Sequence, residues 1–330
     1  MATEFTRRKY LGLTGVVLGA AAAPALATRP KINFATTVDF KNPKWNRDTF
    51  ARMDADLDPA KEKTGWLKGT AYGVRDNEKV RPLFNVEGFS LVRTKRLDDG
   101  SWRRMLREIV FYRDLDSGRI LKTWRNPYTN EDVRVVPIAN DPFNFTIRDT
   151  VEPLPSYGGL QTEKREAKPF LLDWSDGPDG TLICRTGINM IYPNALRPDK
   201  WPRESAGAMN RVSEHFIYTI KRRDAENRRL TNLPVIGSWS RITPWLPWML
   251  MGQAPGHISY FTNFATLKSI AELPADLVAA ARVVSPKYLS APTEDYGPSL
   301  SSLEVYARTE KPAPVPPGWT PPQPPTLKPR

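Results

Sequence analysis

The stretch SWRRMLREIVFYRDLDSGRILKTWRNPYTNEDVRVVPIANDPFNF, residues 101–145, decides the fold. Two strand-like runs flank the turn Asp116-Ser117-Gly118. A second turn, Asn126-Pro127-Tyr128-Thr129-Asn130, feeds the run 133–138. The corner Asn140-Asp141-Pro142 then redirects the chain into Phe143-Asn144-Phe145. Alternation with period two between turn residues is the mark of an antiparallel meander. The stretch specifies architecture and discloses no reaction.

The same rhythm continues on both sides. Upstream, residues 65–74 alternate Trp66, Tyr72 and Val74 with Gly65, Leu67, Gly69, Ala71 and Gly73, so the small residues imply close backbone approach or sharp coiling. Residues 83–92 form the next strand, and Asp98-Asp99-Gly100 the next hairpin turn. Downstream, runs 170–174 and 181–192 flank a Gly-Pro-Asp-Gly turn, and runs 211–221 and 257–264 alternate cleanly. Residues 28–43 read as an extended arm and 150–168 as a polar loop. Two helices are expected, one capped by Asp48 with Phe50, Met53 and Leu57 on one stripe, the other over 274–282. Residues 238–256 break the alternation with Trp239, Trp245, Trp248, Met249 and Met251 set among prolines.

These elements give an all-β, mainly antiparallel domain over 28–310. Its expected form is a large, lipocalin-like β-barrel of about eight to ten strands with short peripheral helices. A β-sandwich is the alternative. Residues 311–330 read as a Pro-rich disordered tail, because a segment with so few apolar residues does not offset its ordering entropy.

The chain has 330 residues, 40% of them hydrophobic and 25% charged, enough for one large domain core. The net charge of +12 is scattered among acidic residues, with short clusters such as Lys221-Arg222-Arg223. No nucleic-acid motif accompanies it, so solvated faces are the expected reading and no nucleic-acid partner is expected. The single cysteine, Cys184, excludes an intramolecular disulfide and reads as a small core residue.

The leader, residues 1–27, resembles a twin-arginine export signal. Thr6-Arg7-Arg8-Lys9-Tyr10-Leu11-Gly12 is followed by a short, weakly apolar run and by Ala25-Leu26-Ala27, a small-x-small cleavage site. Tyr10 and Gly12 stand where the pattern usually has Phe and Lys. The apolar run falls short of the ~20 residues a bilayer span needs, so no stable membrane insertion is expected. The resemblance implies export of the folded chain by the twin-arginine machinery to a periplasmic or secreted location.

Nucleotide-binding glycine motifs and the Gly-x-Ser-x-Gly elbow are absent, and no cofactor is expected. With His215 and His257 as the only histidines, no metal site is expected. The informative residues are carboxylates on apolar strand faces. By parity Glu214 shares a face with Val212, Phe216, Tyr218 and Ile220. Glu108 shares one with Trp102, Leu106, Val110 and Tyr112, and Glu87 with Leu83, Phe89 and Leu91. Each must find a cation or a donor, or become protonated. Arginine-paired bracing of the fold is one reading. The other is a polar spot in a binding cavity, with Asn126, Asn140 and Asn144 nearby, His215 or Arg211 at its rim, and Trp245 and Trp248 in its wall.

Four segments carry a family resemblance: Leu83-Phe84-Asn85-Val86-Glu87-Gly88-Phe89, Trp124-Arg125-Asn126-Pro127-Tyr128-Thr129, Asn140-Asp141-Pro142-Phe143-Asn144-Phe145 and Pro244-Trp245-Leu246-Pro247-Trp248-Met249. In these the chain resembles the bacterial and plant family called domain of unknown function 1838, over roughly residues 48–289. The resemblance implies no activity and no catalytic residues. Three functions are therefore carried forward. The first is a binding protein for an apolar or aromatic small molecule. The others are a cofactor-free isomerase, hydratase or hydrolase using interior Glu residues, and a structural or interaction protein. An interior cavity with convergent polar groups favours the first two, and a solid core the third.

Overall fold

A computed structural model describes residues 32–151 and 167–326, so Arg7, Arg8, Ala25 and Ala27 of the leader lie outside the described residues. The long strands are β1 (Lys63–Val74), β2 (Arg81–Arg96) and β3 (Trp102–Arg113). The chain then makes five short strands: β4 (Thr123–Arg125), β5 (Asp132–Arg134), β6 (Ile138–Asn140), β7 (Phe145–Ile147) and β8 (Thr150–Val151). After these come β9 (Lys168–Pro169), β10 (Asp173–Asp176), β11 (Thr181–Pro193), β12 (Met209–Lys221), β13 (Ile236–Thr243) and β14 (His257–Leu267). The helices are α1 (Pro43–Asp54), α2 (Arg222–Ala225), α3 (Ala275–Val284) and α4 (Ser302–Thr309).

A ten-stranded antiparallel sheet runs β10-β11-β12-β13-β14-β1-β2-β3, with β6 and β7 both pairing to the free edge of β3. The all-β expectation holds. The sheet is not closed, however, since no pairing among the described residues joins β10 to β6 or β7. A helix stands in that gap. Trp45 and Met53 of α1 pack with Trp174, Leu182, Cys184 and Ile220 at one end of the sheet, while Ala51 packs with Trp102 and Ile147 at the other.

Small residues let the sheet coil. A Cβ placed on Gly69 would sit 2.1 Å from the Phe261 carbonyl oxygen, so β1 and β14 approach more closely there than any other residue allows. As a result β3 and β12, five strand steps apart in the ladder, face each other across an interior. Glu214 and Arg241 act electrostatically on Glu108. On the convex side α3 covers Phe89, Leu91, Ile109 and Phe111 with Leu277 and Ala281.

Four local expectations are corrected. Asp48 lies inside α1, buried, accepting from the indole of Trp102 at 2.9 Å, and the helix is capped by Asn42 instead. The run 133–138 is split, because β5 pairs with β4 in a separate hairpin and only β6 returns to the main sheet. Residues 236–243, expected to be irregular from 238 onward, form β13, and α4 has no counterpart in the sequence reading. The tail, expected to be disordered, is docked as far as residue 326. The Ala313 N–H donates to Glu204 and Arg203 donates to the Pro314 carbonyl at 3.0 Å. Trp319 lies under the Arg203 guanidinium and against Gly252, and Asn77 donates to the Pro325 carbonyl at 3.0 Å. Prolines already restrict the unfolded chain, so little further entropy is lost when one aromatic anchor fixes the segment.

Candidate ligand cavity

A partly open cavity of about 1490 Å³ lies along the concave face and reaches as far as Trp66, Phe89 and Tyr288. That exceeds the roughly 300–1,000 Å³ of ordinary small-molecule pockets. Strand parity builds its wall. Alternate residues of β3 supply Arg104, Glu108, Val110 and Tyr112, and alternate residues of β12 supply Asn210, Glu214, Phe216 and Tyr218. Strand β13 adds Trp239 and Arg241, and β14 adds Tyr260 and Phe264. The Pro-Trp segment at 244–248 forms one end, with Trp245 and Trp248 buried in the core and also lining the cavity. Helix α4, whose Ser301 side chain and Glu304 form a reciprocal cap, contributes Tyr306 beside Trp201.

A polar cluster sits within this apolar shell. Glu214 and Arg241 are cross-strand neighbours, with Arg241 Nη1 3.5 Å from Glu214 Oε1. The other Glu214 oxygen accepts from the Trp239 indole at 3.1 Å. Glu108 Oε1 accepts from Asn140 Nδ2 at 2.8 Å. The phenols of Tyr112 and Tyr260 pair with each other, and Asn210 donates to the Tyr192 hydroxyl.

Burial sets the protonation of these groups. It raises the Glu108 carboxyl, and the Asn140 hydrogen bond and Arg104 only partly offset it. Burial likewise pushes the Tyr112 phenol up to about 12 and Tyr260 well above its ordinary value. For Arg241 burial works downward, yet Glu214 and then the surrounding tyrosines outweigh it and hold the guanidinium above its usual range. Around Arg241 the cavity therefore combines a fixed cation, a carboxyl biased toward its neutral form, and phenols that stay protonated at neutral pH.

Six of the ten candidate ligand residues line the cavity: Glu108, Glu214, Asn140, Asn144, Trp245 and Trp248. Asn144 is turned partly to other work, donating to Asp295 at 3.0 Å and accepting from the Leu106 N–H at 3.1 Å. The other four lie elsewhere, and their proposed placement is corrected. Glu87 points to the convex side, opposite Phe111 rather than beside Glu108, where Arg113 Nε holds it at 2.6 Å and the Trp66 indole donates at 3.0 Å. Parity grouped Glu87 with Phe89 and Leu91 correctly, but the register shift at Leu83 sends that residue to the other core, and parity within one strand does not say which face of the sheet is which. Arg211 and His215 are exposed on the outer face of β12, one residue out of phase with Glu214. Asn126 is fully buried in the β4–β5 turn, where it donates to the Met249 carbonyl at 2.7 Å and accepts from the Tyr128 N–H at 2.9 Å.

Several wall residues were missed in the sequence: Arg241, Tyr192, Tyr260 and Asn210. A signal for Arg241 existed. Gly237, Trp239, Arg241 and Thr243 alternate with Ile236, Ser238, Ser240 and Ile242, but here the outward side is aliphatic and the inward side holds the charge.

Among the described residues no helix is long and apolar enough to cross a membrane. A comparison with curated proteins gives no match. The family model described as protein of unknown function (DUF1838) matches residues 60–310, a span that takes in every strand of the main sheet and α4. The chain belongs to that family.

Proposed function

We propose that the protein binds an apolar or aromatic small molecule inside the coiled sheet. The observation that carries this reading is the cavity itself, large, walled by Phe216, Tyr218, Trp239, Trp248 and Phe264, and holding a compact polar cluster against one side. Concave apolar sites with few convergent polar groups are where small ligands bind. Among the described residues the packed clusters leave this cavity between them, whereas a purely structural role would favour a filled interior. The test is titration with the neutral fluorophore N-phenyl-1-naphthylamine. One saturable site is expected, weakened in Ile188→Trp, whose indole projects into the cavity beside Glu214. No saturable binding, or binding unchanged by Ile188→Trp, overturns the reading.

Glu108 favours a second reading, a cofactor-free isomerase, hydratase or hydrolase. A carboxyl raised by burial beside a bound ligand is suited to exchanging a proton with it. Turnover of a bound compound that disappears in Glu108→Gln while binding survives would select the enzyme over the carrier.

The paired Arg7 and Arg8 and the Ala25-Leu26-Ala27 site support export through the twin-arginine route, with cleavage after Ala27. Replacing both arginines with lysine is expected to leave the precursor in the cytoplasm, and normal export of that variant would contradict the route.

A further inference from the structure

Resting on the cavity-binding reading, we infer that the ligand is an amphiphile whose single anionic head, a carboxylate or sulfonate, docks on Arg241. A guanidinium carries five N–H donors and accepts nothing. The protein contacts that Arg241 makes are few. Nη1 reaches Glu214 at 3.5 Å, longer than a good charge-assisted bond, and the buried Nε has no hydrogen-bond partner among the described residues. One oxygen of Glu214 is already engaged by Trp239, so its contact with Arg241 is a single long one. Donors left without acceptors in a buried setting carry a desolvation cost that an incoming oxyanion removes. A carboxylate, or two of the three oxygens of a sulfonate, meets the guanidinium fork with two parallel bonds, which an ammonium or an alcohol does not offer.

The surroundings agree with an anion. Glu108 faces the cluster from β3, and burial raises its carboxyl, which lessens its repulsion of an anion. The paired Tyr112 and Tyr260 phenols lie beside Arg241, and the one O–H not spent within that pair is a further donor. Lys63, on the same cavity wall, is spent on the backbone carbonyls of Arg52, Met53 and Leu233. Arg104 is paired with Asp54. Beyond the cluster the wall turns to Ile188, Met190, Leu246 and Phe216, a lining for the apolar body of the same molecule. An amine head would be placed beside the fixed Arg241 charge and is disfavoured.

The experiment compares two dyes with one skeleton, 1-anilinonaphthalene-8-sulfonate and the neutral N-phenyl-1-naphthylamine, on the full folded chain. Wild-type protein is expected to bind the sulfonate at least about tenfold tighter, with one site. The double variant Arg241→Met, Glu214→Gln avoids an orphaned carboxylate. It should equalise the two dyes. Arg241→Lys, which retains the charge, serves as the second variant and should fall between. Equal or weaker sulfonate binding by wild type, or a preference that survives the double variant, overturns the anionic head while leaving the cavity reading intact. Failure of both dyes to bind removes the cavity reading and this inference together.

Discussion

Two buried glutamates on one pair of neighbouring strands illustrate how side-chain direction decides role. Glu87 is 2% exposed and tied to Arg113, which also holds Asp276 of α3 at 2.6 Å. Removing it as Glu87→Ala leaves a buried arginine with only Asp276 of its two carboxylate partners, so a loss of about 3 kcal/mol in denaturant unfolding is expected, with dye binding by the residual folded protein unchanged. Glu108, on the other face, should behave in the opposite sense. Its folded carboxyl is raised above its unfolded value, so between the two the unfolded chain has released the proton and the folded chain has not. Stability contributed by the group is present below the unfolded value near pH 4.5 and is lost as pH rises through the folded one. Glu108→Gln is therefore expected to melt at or above the wild-type temperature at pH 7, the difference shrinking toward zero by pH 4. A variant less stable than wild type at pH 7 but equal to it at pH 4 would mean that the charged form is the one the fold favours.

Among the elements, the tail shows the largest gap between composition and structure. Its anchors are Trp319 on Gly252 and Arg203, and the contact of Ala313 with Glu204. Deleting residues 311–330 is expected to lower the melting temperature by several degrees, at about 2–4 °C per kcal/mol for a chain of this size. An unchanged melting curve would show that the segment contributes nothing to the folded body. The β1–β14 crossing gives a sharper case. Gly69→Val should cost more than about 3 kcal/mol, because the new side chain meets backbone rather than a movable side chain. The long strands β1, β2, β3, β11, β12 and β14 were legible because their period-two pattern is uninterrupted and their turns carry Asp, Asn or Gly. Strand β13 was not, since the Trp-Pro run beside it hid the alternation. The N-cap of α1 was misplaced because Asp48 looks like a capping residue, while Asn42 before Pro43 is the one whose side chain reaches the free N–H groups. Docking of the tail depends on residues about 60 to 250 positions away, which local composition does not encode.

For the molecule as a whole, the open sheet brings together residues that no linear pattern joins. Glu108, Glu214 and Arg241 come from β3, β12 and β13, and they share one space because the small residues of β1 let the sheet wrap and α1 fills the gap that strands leave. Two of the three were legible as stranded carboxylates; the arginine between them was not. The outer face offers a rival apolar surface, with Phe261 and Ile242 exposed on β14 and β13. The most direct measurement is therefore a crystal structure of the protein soaked with 1-bromonaphthalene, read from the anomalous scattering of bromine. A peak inside the coiled sheet, between Trp239, Phe216 and Trp248, is the predicted result. A peak found only on the outer face against Phe261 and Ile242, with the interior empty, would contradict it.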